Sequence, residues 1–547
     1  MARRALRKGH CSHANCTLAT VPKNSLAAAQ AGADREAELA WKSEIEELRK
    51  RRKLAEQMGG PEKVARQHSR GKLDARARIK GLVDPGSFRE IGKIAGKGRY
   101  DENGDLLDLA PSNLIFGRAN IEGRPVVASA DDFTVRGGAA DAAIKRKFEQ
   151  CEMMAHTLKI PLIRMIDGTG GGGSVKTLEM VGATYVPAVP GWGDVVKNLD
   201  TVPVVALALG PTAGLGAARV VASHYSIMVK GLSQLFAAGP AVVEAIGEAS
   251  DKESLGGSII HTRNGVVDEE VGSEAEAFAR ARRFLSYLPS HVGQHAPRAA
   301  SGDPADRRDP ALVDLVPREA KQVYSMRKLM GMVFDEGSVF EMGRMWGRAL
   351  ITAFARLEGR VVAVMASDPS FLGGSWEARS SEKAERFIKL ADQFRLPVVH
   401  LVDNPGFMIG REAEMAGTIR YGVQAMNAIY KASVPLCCVV VRRAYGIAGS
   451  AMSNAETFQY RFAWPSGDWG SLPIEGGIEV AYKAEIEAAE DPAAHLEAIR
   501  ERLNRVRSPF RTAEMFGIED IIDPRETRPL LCEFADLAWR ALNQELR

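Results

Sequence analysis

The chain has 547 residues, 72 of them basic and 69 acidic, for a formal net charge of +3. That balance, with no stripe of interleaved basic and aromatic residues, argues against a nucleic-acid partner, and no apolar run reaches the ~18 residues of a membrane span. Six cysteines, adjacent only at Cys437 and Cys438 in an apolar run, fit a reduced cytosolic protein (or the mitochondrial matrix, if the source is eukaryotic) rather than a disulfide scaffold.

Residues 1–33 read as a disordered tail. Arg3, Arg4, Arg7 and Lys8 are basic but lack the apolar core of a secretory signal, and His10, Cys11, His13 and Cys16 have no second ligand cluster, so no metal is expected. A helix is predicted from Glu36 to Met58, stopped by Gly59 and Gly60. Beyond Lys72, short apolar strands alternate with helices: strand Arg124 to Ser129, helix Ala142 to Leu158, strand Pro161 to Asp167, strand Val202 to Leu209, and a small-residue helix from Gly214. A stretch from Pro289 to Arg318, rich in Pro, Ala, Gly, Asp and Arg, reads as a linker. The order then returns as strand Arg360 to Met365, helix Ser381 to Phe394, strand Pro397 to Asp403, strand Val434 to Arg442 and a helix from Gly446. This predicts an α/β chain in two domains, 34–290 and 319–547, joined by a linker over 291–318.

The two halves are copies. Lys159-Ile-Pro-Leu-Ile-Arg-Met-Ile-Asp167 matches Arg395-Leu-Pro-Val-Val-His-Leu-Val-Asp403 about 236 residues later, Glu122-Gly-Arg124 matches Glu358-Gly-Arg360, and Val202-Pro-Val204 matches Val434-Pro-Leu436. Asp84-Pro-Gly-Ser-Phe88 is echoed by Asp335-Glu-Gly-Ser-Val-Phe340, displaced further by extra residues around Tyr100 to Asn113. A repeat this long is a duplicated domain rather than a solenoid unit.

Each copy ends its matching strands in glycine-containing loops. The first has Asp167-Gly-Thr-Gly-Gly-Gly-Gly-Ser174 and the second Asp403-Asn-Pro-Gly-Phe-Met-Ile-Gly410. Glycines between a strand and a helix allow close backbone approach to a ligand, and amides at a helix start offer an anion or oxyanion site. A phosphate loop of Walker type fails, because Val175 stands where its second glycine belongs. A second loop pair, Gly210 to Ala217 and Arg443 to Met452, sets Gly214 on Gly446 and places small residues at helix starts, where close helix packing is the competing explanation. There is no Ser-His-Asp ordering and no carboxylate dyad. His291 and His295 have no Glu between them, and His261 and His400 read as structural. Paired amide cradles without a general base suggest a base borrowed from cofactor or substrate.

The stretches Gln67 to Ile79, Asp84 to Phe88, Asp132-Phe-Thr-Val-Arg-Gly-Gly138, Leu255 to Thr262, Val402 to Phe407 and Arg443-Ala-Tyr-Gly446 resemble the carboxyltransferase (β) subunits of biotin-dependent acyl-CoA carboxylases, the propionyl-CoA and methylcrotonyl-CoA group. The resemblance implies two tandem crotonase-like β-β-α superhelical domains and a homo-oligomer, usually a hexamer. It implies acyl-CoA on the N-terminal domain and carboxybiotin on the C-terminal one, the biotin being carried by a partner biotin carboxylase or carboxyl carrier subunit. Biotin is then the implied cofactor, with no metal on this chain. The Ile447 and Ala448 amides would hold the biotin ureido oxygen, and Gly446, Gly449 and Ser450 would line that side. Phe133, Gly137, Gly138 and Gly214 fall on the acyl-CoA side.

Two departures from the family pattern matter. Members commonly have Asp-Ser-Gly-Gly-Ala where this chain has the tetraglycine loop. Counting from Asp167 puts the enolate-binding amides on Thr169 and Gly170, whereas a one-residue slip puts them on Gly170 and Gly171, favoured because two adjacent glycines fit the task better. Propionyl-type members often carry Gly-Ala-Tyr-Asp-Val-Met where this chain has Ile447-Ala-Gly-Ser-Ala-Met452, so the acyl pocket is expected to be wider and not simply tuned to propionyl-CoA. The alternatives are a biotin-dependent decarboxylase or transcarboxylase subunit on the same fold, and a non-catalytic scaffold.

Overall fold

The computed structural model describes residues 40–139, 144–168, 178–179, 182–184, 186, 188–319, 321–456, 458 and 460–545. The two copies each build a sheet. The first runs in the spatial order Arg89–Glu90, Leu114–Ile121, Arg124–Asp131, Leu162–Ile166, Val204–Ala208, Tyr225–Val229, Glu269–Val271. The second runs Phe340–Met342, Leu350–Leu357, Arg360–Ser367, Val398–Asn404, Leu436–Tyr445, Tyr460–Ala463, Asp520–Ile521, with Asp468–Gly470 also pairing on Leu436–Tyr445. In both, an antiparallel hairpin leads into parallel strands joined by helical crossovers, Lys145–Leu158 in one copy and Ala378–Gln393 in the other. Strands covered on both faces are buried at every position, as in Val204–Ala208, which is apolar throughout, and Leu162–Ile166, whose Arg164 is neutralised by the buried Glu152 at 2.6 Å.

The duplication is visible in the backbone. The hairpin turns Glu122-Gly123 and Glu358-Gly359 have φ of 51° and 76° against 49° and 76°, the two left-handed residues of a tight hairpin turn. Each turn is capped by a carboxylate from the preceding helix–strand corner. Asp84 accepts from Glu122 N at 2.9 Å and Gly123 N at 2.8 Å, and Asp335 accepts from Glu358 N at 3.1 Å and Gly359 N at 2.8 Å. The crossover helices carry matching buried lysines, and burial pushes Lys147 down to about 8 and Lys383 to about 7. The extra residues of the first copy form the hairpin Gly96–Tyr100 with Leu106–Pro111, on which the helix Lys42–Glu56 packs, with Lys50 donating to the Leu106 carbonyl at 2.6 Å.

The helix Glu274–Tyr287 sits between the two sheets. Its Phe284 stacks on Tyr225 of the first sheet at 4.7 Å and lies 5.9 Å from Phe354 of the second. One buried apolar cluster therefore runs through both copies. The Pro-rich stretch between them forms no long element, yet it is strapped down. Arg307 pairs with Asp303 and donates to the carbonyls of Met332 and Phe334, while Arg528 grips Pro304 O, Asp303 O and the Asp335 carboxylate.

Candidate active site

In the first copy the strand Leu162–Ile166 leads into Asp167, a fully buried carboxylate. Burying an anion requires compensation. Asp167 receives Lys72 Nζ at 2.7 Å, Arg78 Nη1 at 2.7 Å and Gln67 Nε2 at 3.2 Å. Arg78, also fully buried, grips Glu274 and the Leu209 carbonyl. Burial drives the Lys72 ammonium down from its ordinary value, and Asp167 opposes the shift. The segment from Gln67 to Arg78 is thus pinned to the strand end, with Asp74 capping its helix Ala75–Leu82 through Arg76 N and Ala77 N.

Three backbone segments converge just beyond Asp167. The Gly137-Gly138 turn, with φ of 65° and 66°, presses so close that a Cβ on Gly138 would lie 2.6 Å from Asp167 O and 2.7 Å from Gly168 Cα. A Cβ on Gly216, in the helix Leu215–Val221, would meet Thr212 Cγ2 at 2.7 Å and Gly168 O at 3.4 Å. Gly214, at φ 56°, opens that helix. Gly138 and Gly216 therefore pack against Gly168, with Gly137 adjoining the one and Gly214 at the start of the other's helix, and Phe133 lies beneath the Lys72 ammonium at 4.5 Å from its ring centre. Thr169, Gly170 and Gly171 lie outside the described residues, as do His10, Cys11, His13 and Cys16.

The second copy repeats the plan with different donors. Asp403 is fully buried and is held by Arg443 Nε at 2.6 Å and Arg442 Nη2 at 2.9 Å. Arg443 also donates to Gly373 O, and a Cβ on Gly374 would lie 2.3 Å from Asp403 O. The strand Leu436–Tyr445 then turns through Gly446, at φ 62°, into the short helix Gly446–Ser450. First-turn N–H groups have no partner inside a helix, so the amides of Ile447 and Ala448 are available. The Ile447 side chain is half exposed and that of Ala448 is buried. A Cβ on Gly449 would meet Ala444 C at 2.8 Å, so this glycine is required for the helix to seat on its own strand. Its smallness is a packing requirement, whereas no such close approach bounds Ser450. Ser450 is exposed, its hydroxyl turned back to Gly446 O at 3.3 Å.

The folded histidines make structural bonds. His261 Nε2 pairs with Leu235 O at 2.8 Å, and His400 Nδ1 pairs with Met452 O at 3.1 Å. Among the described residues no three His, Cys, Asp or Glu side chains form a metal-binding group, and no helix is long and apolar enough to cross a membrane. Sequence reasoning missed the carboxylate clamps. Their signal was present: an aspartate at the matching end of a buried-type strand in each copy, with basic residues at Lys72 and Arg78 in one matched stretch and at Arg442 and Arg443 in the next strand of the other.

Residues 66–546 match the carboxyl transferase domain family. The chain belongs to that family. This carboxyltransferase is 31% identical over 503 residues to the propionyl-CoA carboxylase carboxyltransferase subunit of Haloferax mediterranei, covering 90% of this chain and 95% of the relative. It is 32% identical over 494 residues to the methylmalonyl-CoA carboxyltransferase 12S subunit of Propionibacterium freudenreichii subsp. shermanii, covering 88% and 92%. Its fold superposes on the crystal structure of a hexameric transcarboxylase 12S core with methylmalonyl-coenzyme A bound, with a TM-score of 0.80, 31% identity and coverage of 90% and 94%. The two tandem copies are those of a crotonase-type carboxyltransferase.

Proposed function

We propose that the first copy holds an acyl-CoA thioester, that the second receives carboxybiotin on a separate carrier, and that a carboxyl group passes to the α-carbon, or vinylogous γ-carbon, of the acyl chain. One observation carries this reading: both copies fold a glycine turn over a buried, clamped aspartate and open a short helix beside it, so the same backbone cradle is built twice with different loops. Two cradles suit two substrates that must meet.

The second cradle suits a ureido oxygen, an acceptor that first-turn amides can hold, and the residues that would hold it are Ile447 and Ala448. At Gly446 the nearest atom to an added Cβ is Ser471 O at 3.4 Å, so the turn is bounded by backbone and not by bulky side chains. Bound biotin supplies the activated carboxyl group and, once that has left, a ureido nitrogen able to take the acidic proton. The chain supplies orientation and charge stabilisation. In the first copy the amides of Gly170 and Gly171, by the favoured count, would hold the thioester oxygen as it gains charge. Asp167, locked by Lys72 and Arg78, fixes where that loop starts. The partners in this reading are a biotin carboxylase and a biotin carboxyl carrier, with the chain itself assembling as a hexamer.

The likeness to the methylmalonyl-CoA carboxyltransferase subunit supports a second reading, in which another acyl-CoA is the carboxyl donor. Incubating the purified chain and its biotinylated partner with bicarbonate across a panel of acyl-CoA thioesters separates the two, since only the carboxylase needs ATP. Longer, branched or aryl thioesters should exceed propionyl-CoA; equal or better turnover of propionyl-CoA overturns that preference. Ala448→Pro, which deletes one cradle amide, should abolish transfer while the oligomer persists. An inactive wild type with both donors would leave only a scaffold.

A further inference from the structure

We infer that Arg507 is a positioning residue of the second cradle: through Asp468 it fixes the short strand beside the Gly446 turn, and so sets where the Ile447 and Ala448 amides stand. The inference rests on the assignment of the second copy to carboxybiotin.

The segment Gly446–Ser450 has five residues, little more than one helical turn, so its own internal bonds cannot fix its direction. Its orientation is inherited from the strand that feeds it. Arg443, Ala444 and Tyr445, the end of that strand, pair in parallel with Asp468, Trp469 and Gly470. The chain then runs past the cradle turn, where a Cβ on Gly446 would lie 3.4 Å from Ser471 O. The strand Asp468–Gly470 is thus a side rail to the cradle. It has three residues and, among the described residues, pairs with no strand but Leu436–Tyr445, so its place depends on what holds its other side.

Side chains hold it. Arg507, just beyond the helix Pro492–Asn504, donates from Nε to Asp468 Oδ1 at 2.9 Å and from Nη2 to Oδ2, a two-pronged grip on one carboxylate. Its Nη1 donates to Glu475 at 2.6 Å, but the Glu475 side chain is 60% exposed, and a solvated pair adds little. Asp468 is 19% exposed, so its pair is the one that orders the segment. The Tyr445 hydroxyl is also turned on Asp468, and burial together with this contact pushes the phenol above its ordinary value. One carboxylate therefore meets the residue that opens the cradle turn on one side and Arg507 on the other. Trp469 Nε1 donates to Thr512 Oγ1 at 3.2 Å, and Ser466 Oγ to Val441 O at 2.7 Å, which secures the rest of the rail.

The first copy supplies an internal comparison. Pro211, Thr212 and Ala213 pair in parallel with Gln234, Leu235 and Phe236, and the Gly214 amide donates to Phe236 O at 3.2 Å. With Gly214 equivalent to Gly446, Gln234 stands where Asp468 stands. Gln234 Nε2 donates to Glu253 at 2.9 Å, and His261 Nε2 pairs with the Leu235 carbonyl at 2.8 Å. The rail is duplicated and its brace is not. In the first copy the rail residue donates to an acid, and in the second it accepts from a base. Each brace comes from a different segment, so either cradle can be loosened without touching the other.

The test uses the oligomeric chain in reverse transfer, from carboxylated thioesters of the panel to free biotin: the carboxyl group leaves the acyl carbon for a ureido nitrogen, and that nitrogen's proton takes its place. Arg507→Met removes the grip, Arg507→Lys keeps the charge and one prong, and Gln234→Leu loosens the rail of the first copy. Arg507→Met should raise the KM for biotin about tenfold or more and the KM for the thioester less than about twofold, Arg507→Lys should recover part of the loss, and Gln234→Leu should act on the thioester instead. Hydrogen exchange, which needs no turnover, should quicken over residues 444–452 in Arg507→Met and stay unchanged over 211–219. Equal rises in both KM values, no recovery with lysine, or unchanged exchange at the second cradle overturns the inference. If exchange quickens as expected yet the wild type transfers no carboxyl group to biotin, the brace stands and the assignment of the second copy to carboxybiotin falls.

Discussion

Gly210 and Arg442 occupy equivalent positions in the two copies, and their difference decides how each buried carboxylate is neutralised. Setting Pro203 on Pro435 places one on the other. A Cβ at Gly210 would come within 2.1 Å of Asp167 Oδ1 and 2.4 Å of Lys72 Nζ, because the lysine arrives there from outside the sheet. In the second copy Arg442 fills that space itself and bonds to Asp403, with Arg443 beside it. The same electrostatic requirement is met from two different places in the chain.

Gly210→Ala should therefore destabilise the first copy. The clash involves the head groups of a buried ion pair, and moving either leaves a charge unmatched, so a loss of roughly 2–4 kcal/mol is expected. Urea unfolding of the variant oligomer checks it, and a loss within ~0.5 kcal/mol would show that Lys72 can step aside.

Arg78→Leu removes a buried cation that bridges Asp167 and Glu274. Breaking a buried pair costs about 3–5 kcal/mol, since the remaining charges are left without compensation. The melting temperature should fall by more than for Arg76→Leu, whose pair with Glu90 is partly exposed. Equal falls would contradict the weight given to burial.

Gly446→Ala forces an L side chain to hold φ 62°, which costs about 1–2 kcal/mol. The turn should relax and carry the Ile447 and Ala448 amides with it. Carboxyl transfer should drop by at least about tenfold while coenzyme A binding to the first copy is kept. Loss of both together would mean that the substitution disrupts the oligomer or the fold.

Acid should loosen the second copy through His400. Burial holds this imidazole down at about 4 from an ordinary 6.5, so it is neutral when folded and takes up a proton more readily when unfolded. Its contribution is complete above pH 6.5 and is lost as pH falls toward 4, amounting to about 3 kcal/mol at ~1.4 kcal/mol per unit. His400→Asn should be less stable at pH 7 and show a flatter decline between pH 6.5 and 4. Identical slopes in a melting series would remove His400 from the account.

The repeated strands, the crossover helices and the insertion around Tyr100 to Asn113 were legible because apolar periodicity and matched words survive in both copies. The glycine loops could be found for the same reason. Gly449 shows where such reading fails: in sequence it is one more small residue in a glycine-containing loop, and only the 2.8 Å approach to Ala444 reveals a packing requirement. The Pro-rich stretch likewise has a tether's composition, while Arg307 and Arg528, far apart in the chain, strap it down.

By itself the sequence determined the duplication, the α/β alternation and the family pattern, since these follow from local periodicity and short motifs. The tertiary structure alone decided that Asp167 and Asp403 are buried anions with unlike partners, that Gly210 must lack a side chain, and that Arg507 reaches Asp468. Those relations depend on charges and close approaches between segments that only folding brings together, and no local pattern encodes a distance across the core.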